Sequence, residues 1–138
     1  SMEEFVHLEW NSRYDRDPFY DRARIDDLRR QWLWNSHDGR ADRFLTAAVE
    51  GRTAGFITCL LRPDHAEIDL IGTLPGFRQK GVGRSLVEGA LHAYGGRSPR
   101  MTVRTQLWNG GAIRLYERCG FVLSHADMTF RLHLGGSV

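Results

Sequence analysis

Hydrophobic and polar positions in the first half of the chain follow a pattern that predicts a small sheet. Two apolar-rich runs, 43–49 and 54–61, flank the polar segment Glu50-Gly51-Arg52-Thr53, which has the composition of a hairpin turn. A third run at 66–73 stops just before Leu74-Pro75-Gly76, which is typical of the end of a strand. These runs predict three consecutive strands.

Apolar residues at helical spacing predict three helices. The first covers about 20–36, and the second covers 82–94 and ends at a Gly95-Gly96 cap. The third is short, covers 112–119 and stops at Gly120. Antiparallel hairpins followed by a strand–helix–strand–helix unit indicate a mixed α/β fold.

Weaker alternation predicts additional strands near both ends of the chain and between the last two helices. The polar segment 11–18 is predicted to be a loop. Ser1 before Met2 is typical of a residue left by removal of an expression tag and is excluded from the fold prediction. Without repeats or low-complexity tracts, we expect one domain over 1–138. The weaker strands are predicted at 5–10, 101–107, 121–123 and 128–134.

Composition narrows the class of protein. The 138 residues fit one domain, and 41% hydrophobic with 26% charged residues is ordinary for a soluble protein. A formal net charge of +2 is too small to favour nucleic acid as a partner. No run approaches the ~18 apolar residues of a membrane span, and a signal-peptide pattern is lacking. We therefore expect a soluble, cytoplasmic protein without a membrane partner; whether it forms a homodimer stays open.

Cysteine and histidine give no sign of a metal site. Cys59 and Cys119 each lie in an apolar segment and are expected to be buried thiols in a reducing compartment. Neither belongs to a C-x-x-C pair, and the histidines have no metal-ligand spacing. The sequence therefore predicts no bound metal.

The segment after the third strand has the features of an anion-binding loop. Glycines at 81 and 83 open a helix, where backbone N–H groups lack internal partners and the helix dipole favours an anion. Lys80, the only lysine among the 19 basic residues, lies in the loop together with Arg78 and Arg84. The loop matches neither a Walker A motif nor a dinucleotide-binding fingerprint. On its own, a plain helix start with flexible glycines is an equally good interpretation.

Two sequence motifs, one following the other along the chain, resemble the signatures of a known family. Arg78-x-x-Gly81-x-Gly83, after a strand and Pro75, resembles the acyl-CoA signature of the GNAT superfamily of acetyltransferases. Downstream, Asn109-x-x-Ala112-x-x-x-Tyr116-x-x-x-Gly120-Phe121 resembles that family's second signature. The resemblance implies a mostly antiparallel sheet with a splayed central strand pair and flanking helices. It also implies direct acetyl transfer from acetyl-CoA to an amine in a ternary complex.

The resemblance implies which residues contact the acetyl donor and which residue acts as the acid. It implies that the strand before the loop pairs its backbone with the pantetheine arm, and that Tyr116 donates to the departing CoA thiolate. A phenol of ordinary pKa near 10 is protonated at neutral pH, as this role requires. Gly72 would allow close approach of a ligand, or it marks a bulge. The predicted donor-binding residues are Ile71, Gly72, Thr73, Arg78, Gln79, Lys80, Gly81, Val82, Gly83, Arg84, Asn109, Ala112 and Tyr116.

Residues of the last helix and of the third strand carry alternative interpretations. Asn109, Ala112 and Tyr116 are spaced to share one helix face, although Asn109 also suits an N-cap and Tyr116 a core position. Glu67 and Asp69 alternate with apolar neighbours and are predicted to share one strand face. One of the two carboxylates is the candidate general base; equally, both belong to an ordinary solvated face.

The acceptor is indicated less directly than the donor. Thr105-Gln106 before Asn109, together with the early Arg- and aromatic-rich segment 12–36, is similar to the dTDP-fucosamine acetyltransferases of the same superfamily. This resemblance implies a small-molecule acceptor, the amine of a nucleotide-linked deoxysugar. The alternatives are a GNAT enzyme for another small-molecule or peptide amine, and a non-catalytic acyl-CoA-binding module.

Overall fold

The computed structural model describes residues 2–8, 21–132 and 134–135. Its centre is a four-stranded sheet in the order β1-β2-β3-β4, in which β1, β2 and β3 are antiparallel and β4 is parallel to β3. This confirms the predicted mixed, mostly antiparallel sheet. The strands are β1 (Arg43–Val49), β2 (Arg52–Leu61), β3 (Ala66–Thr73) and β4 (Met101–Val103).

Four described α-helices flank the sheet, and three of them lie within two residues of the predicted bounds at both ends. The central helix has the predicted bounds of 82–94, and the last begins two residues before the predicted 112. In the last helix, Asn109 accepts a hydrogen bond from the N–H of Ala112 at 3.2 Å and caps the first turn. The helices are α1 (Met2–Val6), α2 (Arg22–Asn35), α3 (Val82–Tyr94) and α4 (Gly110–Arg118).

The larger hydrophobic cluster joins α3 to the sheet. The apolar stripe of α3 is fully buried because it repeats at helical spacing along one face. It packs on Ile57 and Cys59 of β2 and on Ile68 of β3. A smaller cluster joins α1 and α2 to Phe56 of β2. The buried residues of α3 are Val82, Leu86, Val87, Ala90 and Tyr94.

A β-bulge at Asp69 interrupts the alternation of β3. Thr58 lies opposite Leu70 and Cys59 opposite Ile68, so Asp69 is the extra residue. The bulge explains why Ile68 and Ile71, three residues apart, both contact the α3 cluster. The break in alternation lies between Ile68 and Leu70, and the common face predicted for Glu67 and Asp69 stays a prediction.

Among the described residues, three of the weaker strand predictions are wrong and a fourth is too long; residues 9, 10 and 133 of the predicted strands lie outside the described residues. Residues 2–6 form α1 rather than a strand; Phe5 and Val6 are adjacent and both buried, which a short helix end allows and strand alternation does not. The strand predicted over 101–107 ends at Val103. The described residues of 121–123 and 128–134 form no strand, since no neighbouring strand provides their backbone with partners. The predicted loop 11–18 lies outside the described residues.

Candidate functional site

The parallel pair β3–β4, at one edge of the described four-stranded sheet, opens into a fork. β3 and β4 are paired only from Ala66 to Ile68, opposite Met101 to Val103. β3 then continues to Thr73, and no described strand pairs with it on that side. The fork therefore exposes a stretch of strand edge next to the helix layer, as the predicted splayed pair requires.

Strand geometry shows which N–H groups of β3 point into the fork. The N–H of Leu70 donates to Thr58 Oγ1 at 3.1 Å, and the N–H of Leu74 donates to the Ala54 carbonyl at 2.9 Å. Both groups point towards β2. Because successive N–H groups alternate in direction along a strand, those of Ile71 and Thr73 point to the open side. Unpaired edge groups of this kind are ready to bind an extended ligand.

The loop after β3 presents consecutive N–H groups that have no partner among the described residues. The N–H of Arg78 donates to the Pro75 carbonyl at 3.4 Å, and the next backbone bond is from Ser85 to the Gly81 carbonyl at 3.0 Å. The N–H groups of residues 79–84 lie between these two bonds. The positive end of the α3 dipole lies at the same place. Together these features form an anion-binding cradle.

Backbone conformation shapes this cradle. Gln79 and Gly81 have φ values of 60° and 76°, in the left-handed region. For Gly81 this conformation carries no Cβ penalty, whereas Gln79 holds it as a non-glycine residue. A Cβ on Gly81 would meet no atom within 4 Å, so the requirement for glycine here is conformational rather than steric.

The charges around the cradle are unequal. Arg78 and Lys80 are exposed, and no ion pair with a described residue engages either of them. Arg84 instead lies along α3 and pairs with Glu88 at 2.8 Å. We infer that Arg78 and Lys80 supply most of the positive charge available to an anion.

Two of the predicted site glycines have packing roles. A Cβ on Gly72 would lie 2.7 Å from Phe56 Cε1, so glycine at this position lets the ring of Phe56 pack directly against the backbone of β3. A Cβ on Gly83 would lie 3.3 Å from Leu115 Cδ2, which makes Gly83 the point of close approach between α3 and α4. The bulge of β3 lies at Asp69 instead.

Tyr116 is positioned by α4 and buried in the α3 cluster, with 6% of its surface exposed. Its ring packs edge-on against Phe121 at 5.7 Å. Burial raises the pKa of the Tyr116 phenol to about 12, with a smaller contribution from the nearby Cys119 thiol. The hydroxyl is therefore protonated throughout the neutral range and can serve as a hydrogen-bond donor.

Asn109 and Ala112 lie on the same helix as Tyr116 and have clear local roles. The Asn109 side chain caps α4, which is the alternative interpretation made from the sequence. Ala112 is half-buried against the α3 cluster. The small side chain at 112 leaves room beside the helix start, so the cap and a ligand contact at this end of α4 do not exclude each other.

The two candidate bases are each paired with a different arginine. Glu67 accepts from the Arg62 guanidinium at 3.4 Å, within the part of β3 that is paired to β4. Asp69 accepts from Arg40, a residue of the turn that follows α2. Asp69 is the first residue of β3 beyond the last pair with β4, so it lies where the fork opens. Arg40 was not singled out from the sequence, because only the fold brings residues 29 positions apart together.

Several predicted acceptor residues lie outside the described part of the chain. Of the early arginines and aromatic residues, Arg22 pairs with Asp26 at 3.6 Å, and Trp34 packs edge-on against His37 at 6.0 Å. A groove of about 510 Å³ opens on the α1 and α2 side, and none of its described lining residues belongs to β3 or β4. It is lined by Met2, Phe5, Leu33, His37, Phe44, Thr46, Thr53 and Phe56.

Two classes of feature are absent from the described residues. Within 2–8, 21–132 and 134–135, no group of three or more His, Cys, Asp or Glu residues is arranged to hold a metal ion. None of the helices in these ranges combines the length and apolar character needed to cross a membrane.

Solved structures share this fold. A transcriptional regulator from Bacillus halodurans C-125 superposes with a TM-score of 0.70 at 18% identity, covering 95% of this chain and 93% of that one. The aminoglycoside acetyltransferase AAC(6′)-Iy, solved with the bisubstrate analogue CoA-S-monomethyl-acetylneamine, superposes with a TM-score of 0.66 at 20% identity. That match covers 96% of this chain and 91% of that one. At these identities the likeness shows the fold alone.

Sequence comparison goes beyond the fold. The chain is 35% identical over 125 residues to the spore coat polysaccharide biosynthesis protein SpsD of Bacillus subtilis (strain 168). The match covers 90% of this chain and 43% of that protein, so the chain spans less than half the length of this relative. A model of the acetyltransferase (GNAT) family matches residues 2–121. The chain therefore belongs to the acetyltransferase (GNAT) family.

Proposed function

We propose that the chain is an acetyl-CoA-dependent N-acetyltransferase whose acceptor is the amine of a nucleotide-linked deoxysugar. The observation that carries the donor assignment is the run of N–H groups at 79–84, which continues from the open edge of β3. An anion cradle next to an unpaired strand edge suits a ligand with a pyrophosphate joined to an extended, amide-containing arm. Acetyl-CoA has both parts.

The order of these features sets the direction of the donor. The pyrophosphate binds at residues 79–84, with Arg78 and Lys80 beside it. The pantetheine arm then runs along the fork, where its amide groups bond to the backbone of Thr73 and Ile71. This direction carries the thioester towards Asp69, where β3 and β4 separate. The reacting carbonyl therefore lies near the one candidate base that is situated at the opening.

The proposed reaction is a direct transfer. The neutral acceptor amine attacks the thioester carbonyl, a C–N bond forms and the C–S bond breaks. The amine loses one proton to a carboxylate, Asp69 in this proposal, and that proton passes through solvent to the CoA thiolate. Tyr116 donates a hydrogen bond to the thiolate as charge develops on sulfur. Since its pKa of about 12 exceeds the ~8.5 of an ordinary thiol, the phenol keeps its own proton.

A sugar acceptor is supported by the relative at 35% identity, whose name places it in the biosynthesis of a spore coat polysaccharide. The resemblance of the Thr105-Gln106 and Asn109 region to amino-sugar acetyltransferases points to the same class. An amino deoxysugar linked to a nucleotide also carries a diphosphate. The arginine-rich character of the chain, in which Lys80 is the only lysine, suits this anionic group.

The test follows release of free thiol when the protein is mixed with acetyl-CoA and a panel of amines. The panel contains nucleotide-linked amino deoxysugars, free amino sugars, aminoglycosides and peptides with free termini. We expect the highest kcat/KM with a nucleotide-linked amino sugar. A higher value with an aminoglycoside or peptide would refute the acceptor; tight acetyl-CoA binding without thiol release from any amine would refute the enzyme.

A further inference from the structure

The ion pair between Arg40 and Asp69 lies where the fork opens. Arg40 ends the turn after α2, next to Gly39 with its φ of 123°, and its Nη1 donates to the Asp69 carboxylate. The Arg40 side chain is 49% exposed and that of Asp69 is 22% exposed. A ligand entering the fork therefore reaches the cation of this pair more easily than the anion.

This contact conflicts with a base that must accept a proton from an amine. A carboxylate that accepts from a guanidinium has fewer lone pairs free for a second donor, and breaking the pair exposes two charges that then need other partners. Asp42 does not replace Asp69 as the partner of Arg40, because the Asp42 carboxylate already accepts from the Tyr94 hydroxyl at 2.7 Å and from Arg97 at 3.1 Å. The acceptor itself must therefore supply the replacement partner.

An acceptor that carries an anion beside its amine resolves the conflict. Its anion takes over the guanidinium of Arg40 while its amine approaches the released Asp69, so both charges exchange one partner for another. A planar guanidinium binds a phosphate through two parallel hydrogen bonds, which makes phosphate a good competitor for a carboxylate. A sugar amine without an anionic group cannot replace the Asp69 carboxylate as the charged partner of Arg40.

We propose that Arg40 is a specificity-determining residue that binds a phosphate of the acceptor and thereby releases Asp69 to the acceptor amine. This inference rests on the proposed function, because it places the acceptor amine at the fork. It goes further by identifying the residue that selects phosphorylated amines over neutral ones.

The chain contains a matched control. Arg62 pairs with Glu67, which lies two residues before Asp69 on β3. Its Nε and Nη2 are both 3.4 Å from Glu67 Oε2. Its side chain is 49% exposed, the same as that of Arg40. Glu67 lies opposite Thr102 in the closed part of the sheet, away from the opening. Removal of Arg62 therefore changes the net charge and breaks a similar pair without touching the fork.

The experiment measures binding to protein saturated with CoA, so that no acetyl group is present. An amino-deoxyhexose 1-phosphate is compared with the methyl glycoside of the same sugar by calorimetry. We expect the phosphate to lower the Kd by about tenfold to a hundredfold in the wild type and in Arg62→Gln. Arg40→Gln should abolish this preference, and Arg40→Lys should restore part of it.

A second measurement separates competition from a structural effect. In Asp69→Asn the guanidinium of Arg40 no longer has a charged partner. A hexose 1-phosphate without an amine should therefore bind several-fold more tightly to this variant than to the wild type. A loss of fold cannot produce this gain. A phosphate preference that survives Arg40→Gln, or its absence in the wild type, would refute the inference. Acetyl transfer is measured separately, so failure of the enzymatic proposal is distinguishable from failure of the Arg40 assignment.

Discussion

At the scale of single residues, Tyr116 carries the clearest chemical prediction. Tyr116→Phe removes the hydroxyl but keeps the ring that packs against Phe121. We expect kcat to fall by about 10²-fold or more with little change in the KM for acetyl-CoA, because the lost hydrogen bond forms only as the thiolate leaves. Steady-state kinetics with the best acceptor tests this, and an unchanged kcat would remove Tyr116 from the mechanism.

The pKa of Tyr116 also makes a prediction about pH. Burial favours the neutral phenol, so the hydroxyl stays a donor until the pH approaches its pKa of about 12. An unperturbed phenol would lose its proton near pH 10. We therefore expect no alkaline loss of kcat from this group below about pH 11. The pH profile of kcat checks this; an alkaline limb near pH 10 that disappears in Tyr116→Phe would contradict it.

Gly81 tests the cradle through its backbone. Gly81→Val places a β-branched residue at a φ of 76°, which costs about 1–2 kcal/mol and tilts the N–H groups of the loop. The KM for acetyl-CoA should rise at least tenfold, while kcat at saturation changes less. Gly76→Ala is the control, because a Cβ there also meets nothing within 4 Å and its φ is not in the left-handed region. Equal KM values for the two variants would count against the cradle.

At this scale the sequence predicted residue types better than residue contacts. The spacing of Gly81, Asn109 and Tyr116 was enough to indicate an acetyl-CoA site, and the family match confirms the resemblance. The packing roles of Gly72 and Gly83 depend on neighbours from other elements, Phe56 and Leu115, that no local pattern reveals. The assignment of a role to each site residue stays a prediction.

At the scale of elements, a polar clamp ties the end of α3 to the start of β1. Asp42 accepts from the Tyr94 hydroxyl and from Arg97, and the Arg97 guanidinium lies 5.2 Å from the centre of the Tyr94 ring. These two donors hold the pKa of the Asp42 carboxyl below its ordinary value, the Tyr94 hydrogen bond contributing most. The clamp fixes the far end of the helix whose start forms the cradle.

Asp42→Asn should weaken this clamp and lower the free energy of unfolding by about 1 kcal/mol at neutral pH, since the site is partly exposed to solvent. The carboxyl pKa is lowered by folding, so its stabilisation is present above the ordinary carboxyl pKa and is lost as pH falls through the lowered value. The variant and the wild type should therefore converge in stability in acid. Denaturant unfolding at several pH values checks this, and a constant difference down to about pH 2 would contradict it.

Elements were predicted well where periodicity and boundary signals agreed. The strands β1 and β3 and the helix α3 have the predicted bounds, because each apolar run is closed by turn residues or glycines. Prediction failed where pairing rather than pattern decides. β4 has only three residues, and the alternating apolar residues beyond Phe121 remain exposed, with Phe130 at 88%. Alternation indicates what a strand would bury but not whether a neighbour exists.

At the scale of the whole molecule, the site depends on three parts that are distant in sequence. The bulge at Asp69, the end of pairing at Val103 and the start of α3 at Val82 together open the fork beside the cradle. The sequence predicted the splayed pair only through the resemblance to the GNAT superfamily. The location of the fork, and the arginine at its opening, follow from the register of β2, β3 and β4.

The most direct test of this account is the amide spectrum of the ¹⁵N-labelled protein during a titration with acetyl-CoA. The account predicts that the largest shifts occur at the N–H groups of residues 79–84 and at Ile71 and Thr73 of the fork. It also predicts that amides around the Phe44 and Phe56 groove change little. Large shifts confined to that groove, or none at residues 79–84 when acetyl-CoA is saturating, would contradict the assignment of the donor site.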